Sequence, residues 1–184
     1  MPAGRVRILA ISGSLRAASS NSAILRAAAS VAPAHVDVRI FGGIDGLPYF
    51  NPDLDRTLDD PALPAAVRDF RAEVGASDAL LISTPEYAHG VPGVLKNALD
   101  WLVGGSEMPE KPIAVLNLSP FSTHAHASLV ETLRTMSARL VDDAALPKAV
   151  LKRWPDESAM LADSELCDAL RVTIARLQPD HASS

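Results

Sequence analysis

Short apolar runs alternate along this chain with amphipathic segments. That order predicts an α/β fold, a three-layer sandwich of helices around a five-stranded parallel sheet. Two features of the runs support it. Val6–Ser12 and Ala79–Ile82 are almost continuously apolar, as strands covered on both faces must be. Both empty into polar loops that open directly into helical patterns, which is how open α/β sheets present a ligand-binding edge. The 184 residues, 48% of them apolar, can bury a sizeable core and read as one domain over 1–184.

Each element has its own signal. Val6–Ser12 is the first strand, stopped by Gly13. Asn21–Ala32 carries Ile24, Leu25, Ala28 and Val31 at helical spacing and ends before Pro33. Val36–Phe41 alternates apolar and polar residues and is the second strand. Gly42–Asp60 is a long loop punctuated by Gly and Pro, and loops of that length in compact domains are often functional. Pro61–Ala76 is helical, with Leu63, Val67, Phe70 and Val74 on one face and Pro61 at its start. Asp78–Thr84 is the third strand. Pro92–Val103 is the third helix, with Pro92 in its first turn and Gly104-Gly105 ending it. Pro112–Ser119 is the fourth strand. His124–Leu140 places Leu129, Leu133, Met136 and Leu140 at helical spacing, and a short fifth strand is expected within Asp143–Val150. Glu157–Leu177 closes the fold as one helix, and His181–Ser184 reads as a frayed tail. No internal repeat, charge block or linker divides the chain.

The net charge of −5 argues against a nucleic-acid or anionic-membrane surface. The distribution says more than the sum. Asp37 is the first acidic residue, whereas Arg5, Arg7, Arg16 and Arg26 all precede it, which suits an anionic ligand near the first strand and helix. Cys167 is the sole cysteine, so neither an intramolecular disulfide nor a cysteine-built metal site can form, and a small buried side chain is expected there. Val6–Ile11 is too short to span a membrane and precedes no cleavage-site pattern, so a soluble cytoplasmic protein is expected.

The first loop supplies hydroxyl and amide donors from Ser14, Ser19, Ser20, Asn21 and Ser22, with the Arg16 guanidinium among them. It ends where a helix begins, so unpaired N–H groups and the positive end of the helix dipole face one spot. Gly13, Ala17 and Ala18 allow close backbone approach. This is chemistry for a terminal phosphomonoester, although a serine-rich loop in which Ser20 or Asn21 caps the helix reads the same way. No G-x-x-x-x-G-K-[ST] occurs, and Gly13 is the loop's one glycine, so G-x-G-x-x-G cannot form. A mononucleotide phosphate fits better than ATP or a dinucleotide.

After the third strand, Pro85-Glu86-Tyr87-Ala88-His89-Gly90 offers a rigid start, an aromatic side chain and a permissive glycine. Its backbone N–H groups suit the polar edge of a flat heterocycle, with Tyr87 lining the ring; a plain turn covering the sheet end is the alternative. The fourth strand leaves through Ser119-Pro-Phe-Ser-Thr on the same edge. Three polar exits then converge on one crevice, and strand order 2-1-3-4-5, with its switch point between strands one and three, accommodates them.

Gly-Ser-Leu-Arg-x-x-Ser-x-Asn at 13–21 and Thr-Pro-Glu-Tyr-x-x-Gly-x-Pro-Gly-x-Leu-Lys-Asn-Ala-x-Asp-Trp at 84–101 resemble the NAD(P)H-dependent FMN reductase family. That family includes chromate, quinone and some azo-dye reductases, and the likeness runs from Arg5 to about Val150. It implies a flavodoxin-like fold, bound FMN, and a homodimer or homotetramer. By the same resemblance Ser14, Arg16, Ser19 and Asn21 hold the FMN phosphate. Pro85, Glu86 and Tyr87 border the isoalloxazine largely through backbone groups, with Ser119 on the third loop. Hydride would pass from NADPH or NADH through FMN to a small acceptor: free flavin, a quinone, a metal oxyanion or an azo compound. No side chain need act as acid or base, so no catalytic residue is nominated. Two departures stand out. Ala88 replaces the family's usual Asn, which a backbone contact would survive. Phe-Ser-Thr-His-Ala-His replaces a glycine-rich third loop, which bears on substrate range.

Other chemistry is weaker. His124 and His126 invite a metal site, but residues two apart on a helix diverge. A serine hydrolase lacks its G-x-S-x-G elbow. A flavodoxin-type electron carrier often has an acidic rim, and none is concentrated here. Lys96 and Asp100 are spaced to pair along the third helix. Trp101 is either an anchor for a partner subunit or part of the core.

Overall fold

The structure is a computed structural model and describes residues 5–119, 121–141 and 156–178. Five parallel strands, β1 (Val6–Ser12), β2 (Val36–Ile40), β3 (Ala79–Ser83), β4 (Pro112–Leu116) and β5 (Arg139–Leu140), form one sheet of order β2-β1-β3-β4-β5. In register, Ile8 faces Ala79 and Ser12 faces Ser83, so the exits of β1 and β3 lie side by side. This is the predicted order, with its switch point between β1 and β3.

Alternate residues of β1, β3 and β4 enter two separate cores. Ile8, Ala10, Leu81, Ala114 and Leu116 pack on α1 (Ser20–Val31), α5 (Glu157–Leu161) and α6 (Ser164–Leu177). Leu9, Ile11, Leu80, Ile82 and Val115 pack on α2 (Ala65–Ala76), α3 (Gly93–Asp100) and α4 (Thr123–Thr135). Burial on both faces is why β1, β3 and β4 lack the polar alternation that edge strand β2 keeps at Asp37 and Arg39.

Helix boundaries follow local chemistry. α2 starts at Ala65, later than the expected Pro61, because Pro64 disfavours helical geometry at Leu63; Asp60 instead closes a turn by accepting the Ala62 N–H at 2.8 Å. α4 does not run to Leu140. It stops in a Schellman motif, with Ser137 at φ 58°, Ser137 N–H bonded to Arg134 O (2.9 Å) and Ala138 N–H to Leu133 O (3.1 Å). The chain reverses there into β5, so the fifth strand precedes the expected Asp143–Val150, which lies outside the described residues, as does the tail 181–184. The single closing helix is two, because Asp163 caps a new start at Leu166 N–H (3.2 Å).

The loop 41–60 is a strap fixed at two points. Asn97 accepts the Phe50 N–H (2.8 Å) and donates to Pro48 O (2.9 Å), while Trp101 Nε1 donates to the same carbonyl (2.9 Å). Trp101 is wholly buried and meets Phe50 edge-on at 5.0 Å, so it belongs to the core and anchors no partner. Farther on, buried Arg71 joins Glu107 (2.9 Å) and Asp55 (3.2 Å). Cys167 is buried as expected, and no helix among the described residues is long and apolar enough to cross a membrane.

Candidate cofactor site

β1 delivers loop 13–19 to the sheet edge, and its backbone pairing continues one step, with Gly13 N–H donating to Ser83 O at 2.9 Å. A Cβ on Gly13 would overlap Thr84 Oγ1 and lie 2.8 Å from Thr84 Cβ. Gly13 is therefore required by the close contact of the first and second loops, and its φ is not positive.

The serines of this loop divide into two kinds. Ser12 Oγ and Ser22 Oγ bond each other at 2.9 Å, and Ser12 also meets Ser14 backbone atoms at 3.3 Å; this pair holds the loop's shape. Ser14 Oγ accepts the Arg16 N–H (3.4 Å), and Ser19 Oγ, the N-cap of α1, accepts the Ser22 N–H (3.4 Å). A hydroxyl that accepts from the backbone keeps its own proton to donate. Asn21 accepts from Ser83 Oγ at 2.9 Å, which leaves its NH₂ as donor. Ser20 and Asn21 N–H are orphan donors of the first turn, and that turn contains no acidic residue. Arg16 is exposed and has no acidic partner among the described residues. The helix cap belongs to Ser19, where Ser20 or Asn21 was the alternative.

The second loop closes on itself. Tyr87 N–H donates to Gly90 O (3.1 Å) and Gly90 N–H to Tyr87 O (2.9 Å), around Ala88 at φ 49° and His89 at φ 59°. This corrects the expected role of Gly90. The left-handed positions fall on Ala88 and His89, while a Cβ on Gly90 would only touch Tyr87 O at an ordinary 3.6 Å. Tyr87 stands half-exposed at the mouth, and Pro85 is partly buried.

Glu86 turns inward. Its Oε2 accepts the Ala125 N–H on α4 at 2.8 Å, and its Oε1 is 3.2 Å from His89 Nδ1. The Ala125 bond chiefly holds its carboxyl below the usual carboxylate range; burial opposes this, and the nearby His124 and His89 reinforce it. His89 and His124 meet edge to face at 4.4 Å. His124 thus faces the second loop and not His126, and among the described residues no three His, Cys, Asp or Glu could hold a metal ion.

The third loop is organised by Asn117, which the sequence reading passed over. It accepts the Ser119 N–H (3.1 Å) and donates to Ser122 O (3.0 Å), while Ser119 Oγ accepts the Phe121 N–H (3.2 Å). An Asn at a strand exit followed by Ser is a turn signal that would have found it. His126 Nδ1 is buried without a hydrogen-bond partner beside a small cavity lined by Thr84, Asn117 and Ser122, and burial pushes its pKa down. Two larger hollows, ≈ 420 Å³ beside Lys111 and ≈ 150 Å³ beside Arg7, lie at the opposite edge of the sheet.

The predicted site residues therefore sit on three adjoining loops and one helix start: Ser14, Arg16 and Ser19 on the first loop, Asn21 and Ser22 in the first turn of α1, Pro85 to Ala88 on the second loop, Ser119 on the third. Asn21–Ser83, Gly13–Thr84 and Glu86–Ala125 tie these loops together. Among the described residues, neither Ser12 nor Ser14 bonds a histidine.

A family profile described as NADPH-dependent FMN reductase matches residues 6–150. An NAD(P)H-dependent FMN reductase of Pseudomonas aeruginosa is 41% identical over 116 residues, covering 62% of this chain and 60% of that protein. A quinone reductase of Escherichia coli K12 is 34% identical over 110 residues, 60% of this chain and 55% of that one. The matched region thus spans less than two thirds of these relatives. The fold is shared with a flavoenzyme NAD(P)H:(acceptor) oxidoreductase of Paracoccus denitrificans, at TM-score 0.76 and 24% identity over 94% of this chain and 97% of that one.

Proposed function

This chain belongs to the NADPH-dependent FMN reductase family, and from that premise we propose an oxidoreductase that binds FMN across its three loops. The reductant is NADPH or NADH, and the acceptor is a small molecule such as a quinone, free flavin, metal oxyanion or azo compound. One observation carries the reading: the first loop presents donors without an acid beside them, packed directly on a second loop whose tip suits a flat ring.

The donor set fits a phosphomonoester. Ser14 and Ser19 hydroxyls, Asn21 NH₂, the first N–H groups of α1 and the Arg16 guanidinium all come from one short segment, which supports the reading. Ser22 supports them through Ser12 and Ser19. The 85–88 backbone and Ser119 border the ring, and a backbone contact at Ala88 needs no Asn side chain. Bound FMN would supply the hydride chemistry, accepting from nicotinamide and delivering to the acceptor. The protein's part is to hold and orient the ring, exclude water, and stabilise developing negative charge with N–H groups near Tyr87. No residue is assigned as acid or base. We further propose a single domain working in the cytoplasm as a homodimer or homotetramer.

Purified protein titrated with FMN and then NADPH tests the proposal. Flavin absorbance that is taken up and bleached by NADPH or NADH, and restored by a quinone, supports it. Bound flavin that resists both nucleotides points to an electron carrier, and failure to bind FMN defeats the reading.

A further inference from the structure

α4 is capped from a distance. A helix needs acceptors for its first N–H groups, and the N-cap side chain usually provides one. Ser122 occupies that position and makes no side-chain cap bond. The acceptor for Ala125 N–H is Glu86 Oε2, 39 residues earlier and on another loop. The Glu86 side chain is only 12% exposed, and its carboxylate sits at the positive end of α4, where negative charge is favoured. Its second oxygen meets His89, whose ring packs on His124, the neighbour of Ala125. The circuit Glu86–Ala125–His124–His89 clamps the 87–90 turn to α4 on both sides.

The turn itself shows that something must hold it. Ala88 and His89 both occupy the left-handed region without being glycine, a conformation that persists only when its surroundings impose it. Backbone bonds between Tyr87 and Gly90 close the turn, but they do not fix where it stands relative to the third loop.

Resting on the FMN reading above, we propose that Glu86 is a positioning residue. Its side chain braces the 87–90 turn against α4 and so sets the gap between the two loops that flank the ring. Reach matters more than charge. Gln is equally long and can still accept from Ala125; Asp keeps the charge but is one methylene too short.

The test compares Glu86→Gln, Glu86→Asp and Glu86→Ala, with FMN affinity by fluorescence quenching and thermal unfolding of the apoproteins. Glu86→Asp and Glu86→Ala should weaken FMN on the order of tenfold, the scale of one charge-assisted bond. Glu86→Gln should stay within about twofold of the parent, since it can remake the bond. If Glu86→Ala does not fold, the Asp and Gln pair decides alone. Parental FMN affinity in the Asp variant overturns the brace, even with a lowered Tm, because a mere helix cap would behave that way. Equal weakening in Gln and Asp overturns the claim that reach outweighs charge, since the charge that Gln lacks would then matter as much as the methylene that Asp lacks. A parent protein that binds no FMN defeats the proposed function and the brace together, whereas a parent that binds alongside indifferent variants defeats the brace alone.

Discussion

Gly13→Ala should push the first two loops apart, and the structure says by how much. The new Cβ would overlap Thr84 Oγ1, lie 2.8 Å from Thr84 Cβ and 3.2 Å from Leu95 Cδ2. Turning Thr84 about χ1 removes the hydroxyl at the loss of its 3.3 Å contact with Pro85 O. It cannot move Thr84 Cβ, which the backbone places. Restoring an ordinary 3.4 Å contact needs 3.4 − 2.8 = 0.6 Å of separation between loops that share the Gly13–Ser83 bond. Overpacking of this kind costs about 1–3 kcal/mol. Urea unfolding of the apoprotein should register that loss, and FMN titration should show weaker binding from the displaced cradle. Second-site changes sharpen the test when each double variant is compared with its own single. Thr84→Gly removes both contacting atoms and should restore most of the lost stability, whereas Thr84→Ala leaves the 2.8 Å Cβ contact and should restore little. Parental stability in Gly13→Ala, or equal rescue by Ala and Gly, would refute the reasoning.

Ala88→Gly should stabilise the protein by about 1 kcal/mol in urea, because φ 49° carries a Cβ penalty that glycine lacks; a loss would mean that the turn is not left-handed in solution. Arg16→Ala should weaken FMN by about 1.5–3 kcal/mol while leaving riboflavin affinity and unfolding unchanged, since the side chain is exposed and serves only a phosphate. If riboflavin weakens equally, Arg16 meets the ring instead. Burial holds His126 below its ordinary pKa of 6.5, so as pH falls past that value the unfolded chain takes up a proton that the folded chain refuses. Stability therefore drops from that point down to the lower folded pKa, and His126→Leu should lose less stability between pH 7 and 5 than the parent; equal losses would remove His126 from the acid response.

Strand order and loop convergence were legible because both rest on long-range physics written locally. Continuous apolar runs demand two covered faces, and parallel strands deliver their exits to one edge. Features that depend on a single partner were not. A two-residue strand such as Arg139–Leu140 has no period, and Leu140 also fits the helical spacing of Met136. Gly90 looked like the left-handed residue because glycine is the cheapest choice there, yet the turn places that conformation on Ala88 and His89. The sequence offers α4 no signal for a cap 39 residues away, so nothing pointed from its start back to Glu86. Trp101 became decidable only when Pro48 appeared within hydrogen-bond reach of its indole.

The same contrast separates the two edges of the sheet. Among the described residues, four that are not glycine have positive φ: Ala88, His89, Glu110 and Ser137. Ser137 has a structural reason, since it closes α4, and its carbonyl accepts the Glu110 N–H at 2.8 Å. Near Glu110, buried Arg71 pairs with buried Glu107 and with partly exposed Asp55, so its charge is not left unpaired. Ala88 and His89 end no helix and join no strands, and beside them His126 keeps an unpartnered buried nitrogen while Phe121 is 81% exposed. Strain, an unmet hydrogen bond and bare apolar surface each destabilise a folded chain taken alone. The opposite edge also holds an unmet buried atom, Glu73 Oε2, so what sets the loop edge apart is the left-handed pair beside bare apolar surface, which follows if a flat ligand completes that edge.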